Sequence, residues 1–232
     1  CVGLVALATL RAEEPDRPAD VLAQARNALD WLRGSAVAPL RDFFGRLGWL
    51  AALVLAVIVF YKFGDAMLGR MAGVFYVDLG FTKVEIANYT KSVGLFATLV
   101  GVGVGGWVCI RIGILQAMFL GAFLMMVTNL AFALLATSGK SFELLATVVF
   151  FDNLTGGMAT TAFVAYLSSL CNVAFTATQY ALLASLGNFS RIQLGSVSGW
   201  AVDSFDGDWT LFFVGVAAMS IPAILLLWLL VR

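Results

Sequence analysis

The sequence predicts an all-α membrane protein: a bundle of six transmembrane helices preceded by an amphipathic linker. Three observations lead there. Hydrophobic residues make up 61% of the 232-residue chain and charged residues only 12%, about half the charge of an ordinary soluble domain. The charge is also segregated, with 12 of the 28 charged residues inside positions 11–46. From Leu47 onward, apolar stretches of about 20 residues, the length that crosses a bilayer as a helix, recur between short polar breaks. The 14 basic and 14 acidic residues balance, which gives nucleic acid no electrostatic hold. Histidine is absent, and with it the commonest metal ligand and the commonest general base near neutral pH. Cys1, Cys109 and Cys171 have no paired spacing and lie in or beside apolar segments. They read as small packing residues rather than a metal site or disulfide framework.

Residues 1–10, CVGLVALATL, are too short to span a membrane and lack the charged start of a signal peptide. They read as the end of a preceding transmembrane helix, which makes the chain the latter part of a longer protein. Residues 11–46 form the linker. After Asp20, which can cap a helix, Val21, Ala25, Leu29 and Leu32 recur at helical spacing, with Arg26, Asp30 and Arg33 off that stripe. The pattern fits an amphipathic helix on the membrane surface, with APLRDFFGRLGW leading into the bilayer. A solvated linker fits the same residues.

The bundle occupies residues 47–232. Its spans are expected near 48–70, 88–110, 114–136, 144–168, 178–202 and 210–230. DLGFTKVE, RIG, SGKSFE, CNVAFTAT and DSFDGDW separate them. Thr82 and Glu85 have the spacing of a capping box that would start the second helix. If the linker is cytoplasmic, that side carries its six arginines plus Arg111 and Arg232, against Lys83 and Lys140 in the opposite loops. Positive charge favours the inner side, so linker and C-terminus are both placed in the cytoplasm.

The two halves of the bundle echo each other weakly. Phe81–Thr82 and Phe175–Thr176 precede the second and fifth spans. Within those spans SVG…GGW (Ser92 to Trp107) matches SLG…SGW (Ser185 to Trp200). One copy enters from each side, the relation of a 3+3 inverted repeat and of half a major-facilitator fold. GVGVGG (Gly101–Gly106) spells a dinucleotide-binding fingerprint, but that motif needs a soluble strand–turn–helix around it. Inside a span, Gly101 and Gly105 instead suit close helix–helix approach, as do Gly195 and Gly199 in GxxxG spacing.

Five ionisable residues fall well inside spans: Lys62, Asp65, Lys91, Asp152 and Arg191. Each costs about 2.5–3.5 kcal/mol on insertion scales, so such residues usually mark function. Arg70, nearer a span end, can snorkel to the interface. Lys62 and Asp65 stand three apart on one helix face and can partly neutralise each other. Gly64 leaves room between them. Asp152 is followed by Asn153 and by Gly156 and Gly157, which loosen the helix as in transporter spans that flex around substrate. Arg191 has no acid within a turn of its own helix. These residues are expected to converge on one polar cavity suited to an anionic, hydrogen-bonding solute. A carboxylate there can take and release a proton, as a proton-coupled carrier requires. Buried ion pairs that only hold helices together, Lys62 with Asp65 and Asp152 with Arg191, are the simpler reading.

Four ordered stretches, YKFGDAM, LGFTKVEIA, TGGMATTAFVAYLSSLCN and FTATQYALLAS, resemble the second half of the AmpG-type muropeptide permeases. That major-facilitator branch also includes acetyl-CoA transporters. The resemblance covers nearly the whole chain. It implies the C-terminal half of a proton-driven carrier of the bacterial inner membrane that imports GlcNAc-anhydroMurNAc-peptides for cell-wall recycling. It implies no enzyme activity and no cofactor beyond the proton gradient. The partners implied are the muropeptide, the lipid bilayer and a missing N-terminal six-helix half. Lys62, Gly64 and Asp65 match the family's Lys-x-Gly-Asp, and Lys91 its lysine in the next span, although Thr90 replaces the usual Asn. Asp152–Asn153 stands where Glu-Asn is usual. Gln179 and Tyr180 match a Thr-Gln-aromatic stretch, and Arg191 is kept behind Ser190 where Gly is usual. Val173 and Ala174 stand where a basic residue often follows Cys171–Asn172. Other readings are a carrier of a CoA ester or another peptide, and a non-transporting sensor or scaffold. An intramembrane hydrolase would need a nucleophile and base that the spans do not offer.

Overall fold

A computed structural model of the protein describes residues 37–231. The expected preceding helix at 1–10 and the amphipathic helix carrying Val21, Ala25, Leu29 and Leu32 lie outside the described residues. Among the described residues every regular element is helical. A lead-in helix, α1 (Ala38–Leu47), starts with Pro39 in its first turn and ends at Gly48, whose φ of 54° suits a residue without Cβ.

The first span is broken in two, α2 (Leu50–Phe60) and α3 (Phe63–Asp78). Lys62 sits at the break with φ −98° and ψ 7°, outside the helical basin. The second span runs from α4 (Lys83–Asn88) through a π-helical turn (Tyr89–Gly94) into α5 (Leu95–Ile112). The capping box forms: the Thr82 N–H donates to Glu85 Oε2 at 2.7 Å, and the Glu85 N–H to Thr82 Oγ1 at 3.3 Å. Gly113 turns the chain into α6 (Ile114–Ser138), followed by α7 (Phe142–Leu170), a short 3₁₀ turn and α8 (Thr176–Ser204). The last span is again broken, into α9 (Trp209–Ala218) and α10 (Ile221–Val231).

All six expected spans are thus helical, and five are long and apolar enough to cross a membrane. The exception is α8. Its Gln179, Asn188, Arg191, Gln193 and serines dilute its apolar content. Length alone places α8 among the apolar spans in the sequence reading.

Packing relies on small residues where helices must touch, because lipid tails compete equally for apolar surface. Gly101 lies so close to the Leu154 carbonyl of α7 that no side chain fits between, and a Cβ on Gly105 would stand 2.8 Å from Met158 Cα. A Cβ on Gly157 would likewise stand 2.6 Å from the Thr98 carbonyl oxygen. α7 therefore runs unbroken through Gly156–Gly157, and Gly157 fastens it to α5 where the sequence suggested loosening. In the GxxxG pair of α8, Gly199 faces open space, while a Cβ on Gly195 would meet the Arg70 side chain and, at 3.5 Å, the Ala66 carbonyl of α3.

The core divides into two apolar clusters. One gathers Ile58, Tyr61, Met118, Met125, Phe163 and Tyr166; the other gathers Phe75, Phe132, Phe212 and Phe213. Between them in α6 lies Asn129, 2% exposed, whose amide nitrogen has no hydrogen-bond partner among the described residues. Gly64 packs into that polar layer. A Cβ there would stand 2.7 Å from Ser220 Oγ and 3.0 Å from Asn129 Nδ2. Gly64 therefore serves the α3–α6–α9 contact and is not a spacer between Lys62 and Asp65.

Candidate functional site

The break at Tyr61–Lys62 sends two neighbouring side chains into different surroundings. Tyr61 is buried, stacks on Phe163 at 5.2 Å, and donates towards the Met118 and Ala159 carbonyls at 3.4 and 3.3 Å. Lys62 Nζ reaches α7, donating to Thr160 Oγ1 at 3.1 Å, and lies 3.5 Å from Asp65 Oδ2. The expected i, i+3 pair therefore forms, with Asp65 the more exposed partner at 35% against 12%. The Phe163 ring lies 5.9 Å from the ammonium.

Three adjoining cavities meet at Asp65. The largest, about 300 Å³, is lined by Lys62, Asp65, Thr160, Tyr180, Asn188 and Arg191, with apolar walls from α7 and α8. A second of about 240 Å³ joins Asp65 to Asp152, Asn153, Thr98 and Thr160. A third of about 120 Å³ lies between Asp65, Gly69, Arg70 and Arg191. Helix periodicity explains the lining. Tyr180, Ala184, Gly187 and Arg191 follow one stripe of α8, and Asp152, Gly156 and Thr160 one stripe of α7.

The structure thus brings Lys62, Asp65, Asp152, Asn153, Tyr180 and Arg191 into one connected region. Asn153 is also tied down: its Nδ2 donates to the Val149 carbonyl at 2.8 Å and its Oδ1 accepts from Thr98 at 3.2 Å. Asp152 and Arg191 line different cavities and form no ion pair.

Two residues lie elsewhere. Lys91 is exposed in the π-helical turn and lines none of the three cavities. Gln179, 2% exposed, faces α1. Its Nε2 donates to the Pro39 carbonyl at 2.9 Å and to Asp42 Oδ2 at 3.0 Å. Its Oε1 accepts from the Asn172 N–H at 2.7 Å and from Arg46 Nη2 at 3.3 Å. Arg46 also donates to Asp42 at 2.9 Å and to the Leu170 carbonyl at 3.0 Å, and Asn172 Nδ2 to Asp42 at 3.2 Å. This network docks the lead-in helix on the ends of α7 and α8. It also holds the Asp42 carboxyl below the usual carboxylate range, through the Gln179 hydrogen bond first and the Arg46 and Asn172 hydrogen bonds after it.

Thr160, Asn188 and Arg70 belong to the site, although the sequence does not single them out as site residues. Asn188 is one turn before Arg191 and Thr160 two turns after Asp152, so helical spacing carried the signal. Arg70 is exposed and lines the third cavity. It folds over Gly195, where a Cβ would stand 3.0 Å from Arg70 Cγ and 3.2 Å from Nε. Among the described residues no group of His, Cys, Asp and Glu could hold a metal ion, and Cys109 and Cys171 are free thiols.

Apolar spans that carry a cluster of ionisable side chains around adjoining open cavities define a multi-pass membrane protein with a polar face. Comparison with known proteins then gives the family. The chain is 38% identical to the anhydromuropeptide permease of Escherichia coli K12 over 222 residues, covering 95% of this chain and 43% of that protein. It is 37% identical over 197 residues to putative transporter AmpG 4 of Rickettsia conorii, covering 85% of this chain and 46% of the relative. Putative transporter AmpG 1 of Rickettsia prowazekii is 33% identical over 181 residues, or 78% of this chain and 40% of the relative. No protein-family model matches. The chain belongs to the AmpG-type permease family, and it spans somewhat under half the length of these curated relatives.

Proposed function

We propose that this chain is the C-terminal half of a proton-coupled permease of the bacterial inner membrane that imports anhydromuropeptides for cell-wall recycling. The observation that carries the reading is the joined cavity system at Asp65 in a chain 38% identical to an anhydromuropeptide permease. Lys62, Tyr180, Asn188 and Arg191 contact the solute in the larger cavity, where cations and hydrogen-bonding groups suit an acidic sugar-peptide. Asp152 and Asp65, sharing the second cavity, take and release the coupling proton. The 3+3 repeat sets the cavity between this bundle and an N-terminal six-helix partner, with linker and C-terminus in the cytoplasm. The proton gradient is the energy source, and neither catalysis nor a cofactor is required.

The test is uptake of labelled anhydromuropeptide into vesicles holding the protein at its relatives' length. Uptake is expected with an inward proton gradient and is expected to collapse with a protonophore. Asp152→Asn is expected to bind solute yet fail to accumulate it. Uptake indifferent to the gradient, or none from well-folded protein, defeats the reading; normal accumulation by Asp152→Asn removes Asp152 from the proton path.

A further inference from the structure

We propose that Arg70 and Arg191 form a carboxylate-binding niche beside the main cavity, with Gly195 as the seat that aims Arg70 into it. The inference rests on the permease reading for its solute and adds the subsite that takes the solute's acid group.

Arg70 on α3 and Arg191 on α8 line the same space of about 120 Å³, together with Asp65, Ala66, Gly69 and Ile192. That space is the smallest of the three and has room for an acid group. Arg191 also lines the neighbouring cavity of about 300 Å³, so a bound acid group would leave the solute's body in the larger space. Neither arginine makes an ion pair or a hydrogen bond among the described residues. Asp65, the acid nearest to both along the lining, is engaged by Lys62 at 3.5 Å. Both guanidiniums are exposed on the open face that α3 and α8 share, free to take a ligand, and their planar forks match a carboxylate with paired hydrogen bonds.

Gly195 supplies the geometry. It lies one turn beyond Arg191 on the same face of α8. Because it has no side chain, Arg70 lies against the helix there, its Cγ and Nε within 3.0–3.2 Å of where a Cβ would be, and both arginines line the same space. Gly69 on α3, where a Cβ would meet nothing within 4 Å, leaves the mouth of the niche open.

The niche can be read without assuming any natural solute. Ile192 lines it and is 55% exposed, so Ile192→Cys, with Cys1, Cys109 and Cys171 replaced by alanine, places one reporter thiol there. In the membrane-embedded protein at its relatives' length, an anionic methanethiosulfonate should label this thiol faster than a neutral one of similar size. Arg70→Gln and Arg191→Gln should each lower that anionic-to-neutral ratio about tenfold, the worth of one charge-assisted contact. Gly195→Ala, which keeps both charges and displaces Arg70, should lower it too. The neutral reagent's rate reports whether each variant still folds around the thiol. A ratio unmoved by the two arginine variants overturns the niche. An anhydromuropeptide with a free peptide carboxylate should then protect the thiol, and its carboxamide should not. Equal protection by both overturns the assignment of the niche to the carboxylate. A ratio that responds to the arginines while neither muropeptide protects leaves the niche standing and defeats the muropeptide reading instead.

Discussion

Gln179 and Tyr180 are adjacent in sequence, yet about 100° of helix rotation separates their side chains. The sequence pattern groups them as one polar motif on one wall. In the structure Tyr180 lines the main cavity, while Gln179 has all four of its amide hydrogen-bonding positions filled by α1 and the α7–α8 connection. Which of the two faced the cavity was not legible, because the deciding contacts come from Pro39 and Asp42, far away in the chain. The i, i+3 relation of Lys62 and Asp65, by contrast, was legible because both partners lie on one helix. The Asp42 network makes a prediction with a defined sign. Its folded carboxyl titrates below the ordinary 3.8, so its docking contribution is complete above that value and is lost as pH falls through the lower, folded one. Hydrogen exchange in α1 should accelerate below about pH 4, and Asp42→Asn should abolish that step. Gln179→Ala should loosen α1 at neutral pH by about 1–3 kcal/mol, because buried Gln179 takes its four hydrogen bonds with it and the half-buried Asn172 N–H loses its acceptor. Unchanged exchange in Gln179→Ala would make the network incidental.

Element positions followed from run length and punctuation, and the polar breaks fell where the helices end. The interruption inside the first span did not announce itself, whereas Pro222, in the first turn of α10, marked the one in the last span. No proline lies at Tyr61–Lys62, and both breaks flank the polar layer of Gly64, Asn129 and Ser220, which only the assembled helices create. Close approach of glycines in α5 was legible as a tendency; its target was not. The structure names α7, and this allows a paired test. Gly101→Ala drives a methyl into the Leu154 carbonyl and should cost about 1–3 kcal/mol through overpacking. Gly103→Ala, on the same helix with nothing within 4 Å, should be neutral or slightly stabilising through helix propensity. Thermal unfolding in detergent compares them. Equal stability of the two variants would mean that α5 and α7 separate readily, contrary to the packing described.

For the whole molecule, the distribution of polar groups decides what surrounds the bundle. α5 turns Leu95, Phe96, Leu99, Trp107 and Ile110 outward, a surface suited to lipid. α8 presents Asn188, Arg191 and Gln193, all exposed, and opens with α3 and α7 onto the cavities around Asp65. Lipid against that face would strand charges at about 2.5–3.5 kcal/mol each on insertion scales. Because the curated relatives are more than twice as long as the aligned segment, the proposed occupant is the remainder of such a permease. Residues 37–232 expressed alone should therefore insert but give no gradient-driven uptake. Co-expression with the remaining half as a separate chain should restore it without a covalent link, since the face itself supplies the contacts. Arg191→Leu, which removes one stranded charge, should raise the level of the lone half in membranes while impairing uptake by the reassembled pair. If the lone half alone accumulates solute, or if Arg191→Leu lowers its level, the face is already satisfied within this chain and needs no second half to cover it.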